Sequence, residues 1–238
     1  MYVDSAVELG RDDPALEIPW VSQDGSLRYF NIRANPALID ALPEAAWVEM
    51  REFLIRANAA DFPLQTAKSD VWTTTDISPE EEIFSAGWKF ASYVDLLFSA
   101  EEQCFSLPAH QQLVKKLCAL LARAPDMPAS IEFVVRHCYY HCPGAVAPVR
   151  DSKDGGQQDQ LQPVATDATL APDATLAPDT TLAPDTTLAP DTTLDDSQRG
   201  FYLTLYVSGF GNTKEEARQP WSIALKLLQH ALIQVVRL

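Results

Sequence analysis

The chain has 238 residues, 47% of them hydrophobic and 21% charged, which suffices for one large folded domain with a real core. A formal charge of -15 excludes nucleic-acid binding, which needs clustered lysine and arginine, and disfavours an anionic membrane surface. No apolar run spans a bilayer, the first residues lack a basic start and an apolar stretch, and four cysteines are too few for a disulfide scaffold, so the expected setting is cytoplasmic.

Residues 1–25 read as an N-terminal extension. Leu27–Arg33 is a short strand candidate. Asn35-Pro36 reads as a helix start, with Asn as cap and Pro in the first turn. Residues 43–58 are helical, with Trp47, Met50, Leu54 and Ala57 on one stripe. Lys68–Asp76 is rich in strand formers. Ser78-Pro79 followed by Glu80, Glu81 and Glu82 opens a helical turn whose acids suit the helix dipole. From Phe84 onward, Ala86, Trp88, Phe90, Val94, Leu96 and Phe98 share one side, and Ser85, Lys89, Tyr93 and Asp95 share the other. That is a long half-buried strand. Ser106 caps a helix over 108–124, which Pro125 stops.

Two strands flank an unusual segment. Ile131–His141 is β-branched and aromatic. In the second, Phe201, Leu203, Leu205 and Val207 alternate with Tyr202, Thr204, Tyr206 and Ser208. Thr213 and Glu216 then form a capping box that opens a helix to Leu238, with Pro220 expected to kink it or to mark its true start.

Residues 151–199 hold ten acids and two bases, more than half of the net charge. Within them a period of six places Asp at 167, 173, 179, 185 and 191, and Leu at 170, 176, 182, 188 and 194. One large apolar residue per unit and a recurring Pro argue against a stacked solenoid. The segment is read as a disordered acidic insert in a hairpin between antiparallel strands. Such an expansion is tolerable because closure entropy grows only logarithmically with length.

The fold class is therefore α+β: an antiparallel sheet with helices packed on one face. It forms a single domain from residues 26–150 and 200–238, with the long insert at 151–199. The stretch Gly209-Phe-Gly-Asn-Thr-Lys-Glu-Glu-Ala217 resembles the strand–turn–helix junction of HicB-type antitoxins. Turn and cap chemistry accounts for that likeness. The order of elements and the acidic charge are similar to those of class I type III secretion chaperones. That resemblance implies a small dimeric protein that holds a partner in extended form.

One sequence cluster has ligand chemistry: His137, Cys138, His141 and Cys142. On a strand the two histidines face one side and the two cysteines the other, so one tetrahedral site cannot use all four without a bulge. Neither cysteine sits in a Gly-rich nucleophile turn. Ser208 lacks the preceding glycine of a nucleophile elbow. Four tyrosines, Tyr93, Tyr140, Tyr202 and Tyr206, lie on the less apolar sides of their strands, and tyrosine is enriched at interfaces. The sequence thus points to a non-enzymatic protein-binding or adaptor module. It would take no cofactor, would bind a basic protein through the tyrosines, and could form a homodimer. The alternative is a metal-binding protein or enzyme centred on the His–Cys cluster.

Overall fold

Period-two alternation yields four long strands, and two short ones precede them. The computed structural model describes residues 1–19, 30–140 and 199–236. Its strands are β1 (Tyr2–Glu8), β2 (Leu16–Ile18), β3 (Leu64–Thr74), β4 (Trp88–Phe98), β5 (Ala129–Tyr140) and β6 (Arg199–Gly211). They form one sheet in the order β1-β5-β6-β4-β3, with β2 also paired to β5. In the order β3, β4, β6, β5 each strand is antiparallel to its neighbour, whereas β1 and β2 run parallel to β5. The sheet is therefore mixed, because the N-terminal residues supply strands that the sequence reading left as an extension.

Of the strand read at 27–33, residues 27–29 lie outside the described residues, and Phe30–Arg33 belong to no strand. Arg33 instead stitches a turn, donating from Nη2 to the carbonyls of Ala60 (2.6 Å) and Phe62 (2.8 Å). The insert read at 151–199 lies outside the described residues except for Arg199. Tyr139 pairs with Arg199 at the end of the β5–β6 ladder, so residues 141–198 connect neighbouring antiparallel strands.

The helices are α1 (Val48–Ala57), α2 (Glu101–Cys104), α3 (Leu107–Leu121) and α4 (Lys214–Val236). The helix read at 43–58 is split. Pro43–Ala46 form a 3-10 turn, and Trp47 is extended at φ -89 and ψ 115 before α1 begins. Ser106 caps α3 by accepting from the Ala109 N–H at 3.3 Å. Thr213 Oγ1 accepts from the Glu216 N–H, and Glu216 reaches back to the Asn212 N–H. That double cap starts α4 at Lys214, and the helix contains Pro220 within its length.

Helices α1, α3 and α4 pack on one face of the sheet. Phe90, Val94, Leu96, Ile131, Phe133, Val135, Leu203, Leu205 and Val207 point toward them and build the core with Phe53, Leu54, Leu117, Trp221, Leu225 and Leu228. Trp221 is fully buried, stacks obliquely on Phe90 (4.6 Å), and donates from Nε1 to Ser92 Oγ at 2.9 Å. Gly209 lets α4 lie directly on β6. A Cβ there would fall 2.3 Å from both the Ala217 carbonyl oxygen and the Trp221 nitrogen. Alternation sends the other half of each strand to the opposite face.

Candidate functional site

That opposite face carries a row of side chains in register across five strands. Asp70 on β3 pairs with Tyr93 on β4, Tyr93 with Tyr206 on β6, Tyr206 with Glu132 on β5, and Glu132 with Asp4 on β1. Two aromatic residues thus sit between carboxylates on both sides. The Tyr93 and Tyr206 ring centroids are 6.2 Å apart, and Trp72 continues the aromatic run at 6.3 Å from Tyr93. Tyr93 and Tyr206 are half-buried, while Asp4, Asp70, Trp72 and Glu132 are exposed.

Beside the row lies a buried polar network. Arg136 Nε donates to Glu8 Oε2 at 2.8 Å, and its Nη1 donates to Tyr206 Oη (3.0 Å) and Thr204 Oγ1 (3.2 Å). Thr204 Oγ1 in turn donates to Asp95 Oδ1 at 2.7 Å. The guanidinium also lies over the Tyr206 ring, 5.6 Å from its centroid. Burial opposes the Arg136 charge, but the bonds to Tyr206 and Glu8 outweigh it and hold the group protonated.

The carboxylates respond in the opposite sense. Burial pushes the Asp95 carboxyl up to about 6, against the Thr204 hydrogen bond and the charges of Lys68 and Arg136. Burial and then repulsion from Asp4 and Glu8 raise Glu132. Tyr93 is raised by burial and by Asp95 and Asp70. Around Glu132 and Tyr93 the neighbouring carboxylates thus add to burial, whereas around Asp95 the charges of Lys68 and Arg136 act against it.

The structure brings Tyr93 and Tyr206 together and separates them from the other two tyrosines. Tyr202 is 4% exposed, packed with Leu16, Leu97 and Cys138 in a second apolar cluster, and burial lifts its hydroxyl to about 12. Tyr140 lies at the end of β5, where its hydroxyl donates to the Phe201 carbonyl at 3.0 Å and its ring meets Phe105.

Within the His–Cys cluster, His141 and Cys142 lie outside the described residues. His137 packs beside Phe201 and contacts Arg199, whereas Cys138 is buried on the opposite face beside Tyr202. Burial pushes the Cys138 thiol up to about 12, which disfavours the thiolate that metal binding or nucleophilic attack requires. Among the described residues no group of three or more His, Cys, Asp or Glu could hold a metal ion, and no helix is long and apolar enough to cross a membrane.

Known proteins give no match. No family model, no curated protein and no solved structure aligns significantly with this chain.

Two concavities of about 390 Å³ lie elsewhere. One, by Phe84, Phe210, Pro220 and Ile223, sits at the start of α4; the other lies between β1 and α3. His110, the one buried histidine among the described residues, is a core group. It packs between Phe98 and Phe201 with Nδ1 2.9 Å from the Ser106 carbonyl, and burial lowers its pKa.

Sequence reasoning missed Asp4, Glu8, Asp70, Trp72, Glu132 and Arg136. The alternation in β5 already placed Glu132 and Arg136 in phase with Tyr140, so those two were open to reading. The β1 residues were not, because their neighbours follow from a parallel pairing with β5, more than a hundred residues away.

Proposed function

We propose that this chain is a non-enzymatic protein-binding module whose sheet face opposite α1, α3 and α4 docks a basic segment of a partner protein. The observation that carries this reading is the five-strand row, in which Tyr93 and Tyr206 lie between Asp70 on one side and Glu132 and Asp4 on the other. Tyrosine rings supply rigid contact area at small entropic cost, and their faces attract cations. The flanking carboxylates supply charge complementarity, which speeds encounter and rejects acidic surfaces. Burial and then the repulsion of Asp4 and Glu8 raise Glu132, and a bound cation would offset the repulsive part.

The test compares the wild-type chain with a Tyr93→Ser/Glu132→Gln variant as baits in lysate of the native host. The reading expects a stoichiometric basic protein on the wild type, released by raised salt, and lost from the variant at unchanged thermal stability. Recovery of the same proteins by both baits overturns it.

A further inference from the structure

This face already holds one guanidinium, and the way it does so serves as a template. Arg136 has an aromatic ring beneath it (Tyr206), a carboxylate at the end of its fork (Glu8), and hydroxyl acceptors at its side. Similar parts recur on the other half of the face. Tyr93 is the cross-strand neighbour of Tyr206, and its partner on the far side is Asp70. The Trp72 ring stands 6.3 Å from the Tyr93 ring at 56°, so the two make an open aromatic corner. Asp70 Oδ1 accepts from the Val71 N–H at 2.7 Å, which orients the carboxylate. Asp70 is exposed and Trp72 is 36% exposed, both on the edge strand β3.

We propose that Trp72, Tyr93 and Asp70 form a cradle for an arginine side chain of the partner, a step that rests on the docking reading above. Arginine fits better than lysine. A planar guanidinium stacks in an aromatic corner and presents two parallel N–H groups to one carboxylate, whereas an ammonium is a compact, strongly hydrated point charge. The carboxylates of the row repel phosphate and acidic peptides. A purely apolar side chain would bring the Asp70 carboxylate no donor beyond the Val71 N–H it already has. The occupant is therefore an arginine within a basic segment lying on the row, with Glu132 and Asp4 taking further positive charge at the far end.

The experiment titrates the full-length protein with three synthetic peptides: acetyl-Gly-Arg-Gly-Arg-Gly-amide, its lysine counterpart and its citrulline counterpart. Dissociation constants and the Trp72 indole NMR signal, assigned with Trp72→Phe, are the readouts. The arginine peptide is expected to shift that signal and to bind about fivefold more tightly than the lysine peptide, with the citrulline peptide weakest. Asp70→Asn keeps an acceptor for the Val71 N–H and should weaken arginine binding about fivefold. Trp72→Leu, at an exposed position, should bring the arginine-to-lysine ratio close to one. Equal binding of the two cationic peptides, with loss of both in Glu132→Gln, removes the cradle and leaves the docking reading standing. No binding of either peptide removes both. An arginine preference that survives Asp70→Asn and Trp72→Leu also places the cradle elsewhere.

Discussion

Thr204 Oγ1 donates to Asp95 Oδ1 at 2.7 Å between two adjacent strands, in a part of the sheet where both side chains are almost fully buried. The same oxygen accepts from Arg136, which is fixed by Glu8 on β1. A chain of charge-assisted bonds thus runs through three central strands to the parallel edge strand. It holds Arg136 over Tyr206, so the aromatic row rests on a polar network rather than on loose side chains.

Asp95 makes this network pH-dependent. Burial lifts its folded-state pKa to about 6 from the ordinary 3.8, and Thr204, Lys68 and Arg136 hold back a larger rise. A raised carboxyl favours the folded state when protonated. Its contribution is full below the ordinary pKa and is lost as pH rises through about 6. Asp95→Asn preserves an acceptor for Thr204 and removes the titration. The variant should gain about 2–3 kcal/mol over wild type between pH 4 and pH 7. Urea denaturation of both proteins across that range checks it, and a constant difference would show that Asp95 does not titrate there.

Gly209 is a packing requirement rather than a turn. Its missing Cβ is replaced by the Ala217 carbonyl and the Trp221 nitrogen, which are backbone atoms that no rotamer change can move. Gly209→Ala should therefore cost about 3 kcal/mol, at the upper end for overpacking. The measurement is the denaturation midpoint at unchanged slope. A loss below about 1 kcal/mol would mean that α4 shifts freely on β6.

The bond from Trp221 to Ser92 is internal to the core. Trp221→Phe removes volume and leaves a buried hydroxyl without its donor, for a loss of about 2–4 kcal/mol. Adding Ser92→Ala should recover about 1 kcal/mol, because both polar partners are then gone. A double mutant that is strictly additive would show that the bond contributes nothing.

Much of this fold was legible from local pattern. Alternation around Tyr93 and Tyr206 separated the helix side from the tyrosine side of β4 and β6, and Ser106 and Thr213 marked two helix starts that the structure places within a residue of them. What escaped was non-local. Tyr2–Glu8 contains four acidic or hydroxyl residues and becomes a strand through parallel pairing with β5. The row of carboxylates and tyrosines escaped for the same reason. Asp70, Glu132 and Asp4 each read as solvated surface charges along the chain, and only the register aligns them with the two tyrosines. Tyr202 and Tyr206 are in phase on one strand, yet Leu16, Leu97 and Cys138 bury the first, and no local pattern distinguishes them.

The connection between β5 and β6 permits a test that leaves this face untouched. Tyr139 and Arg199 pair at the end of the ladder, so 58 residues join two strand ends that are already neighbours. Deleting residues 155–198 shortens that connection to 14 residues and keeps every strand. If the connection contributes only chain length, closing the shorter loop costs less entropy, and the shortened chain should be about 1 kcal/mol more stable. Its affinity for the arginine peptide should equal that of wild type, since the row lies on β1, β3, β4, β5 and β6. Thermal unfolding and the peptide titration together read both expectations. A destabilised deletion would give the connection contacts with the fold, and a stable deletion that no longer binds the peptide would move recognition from the sheet face to the hexapeptide array.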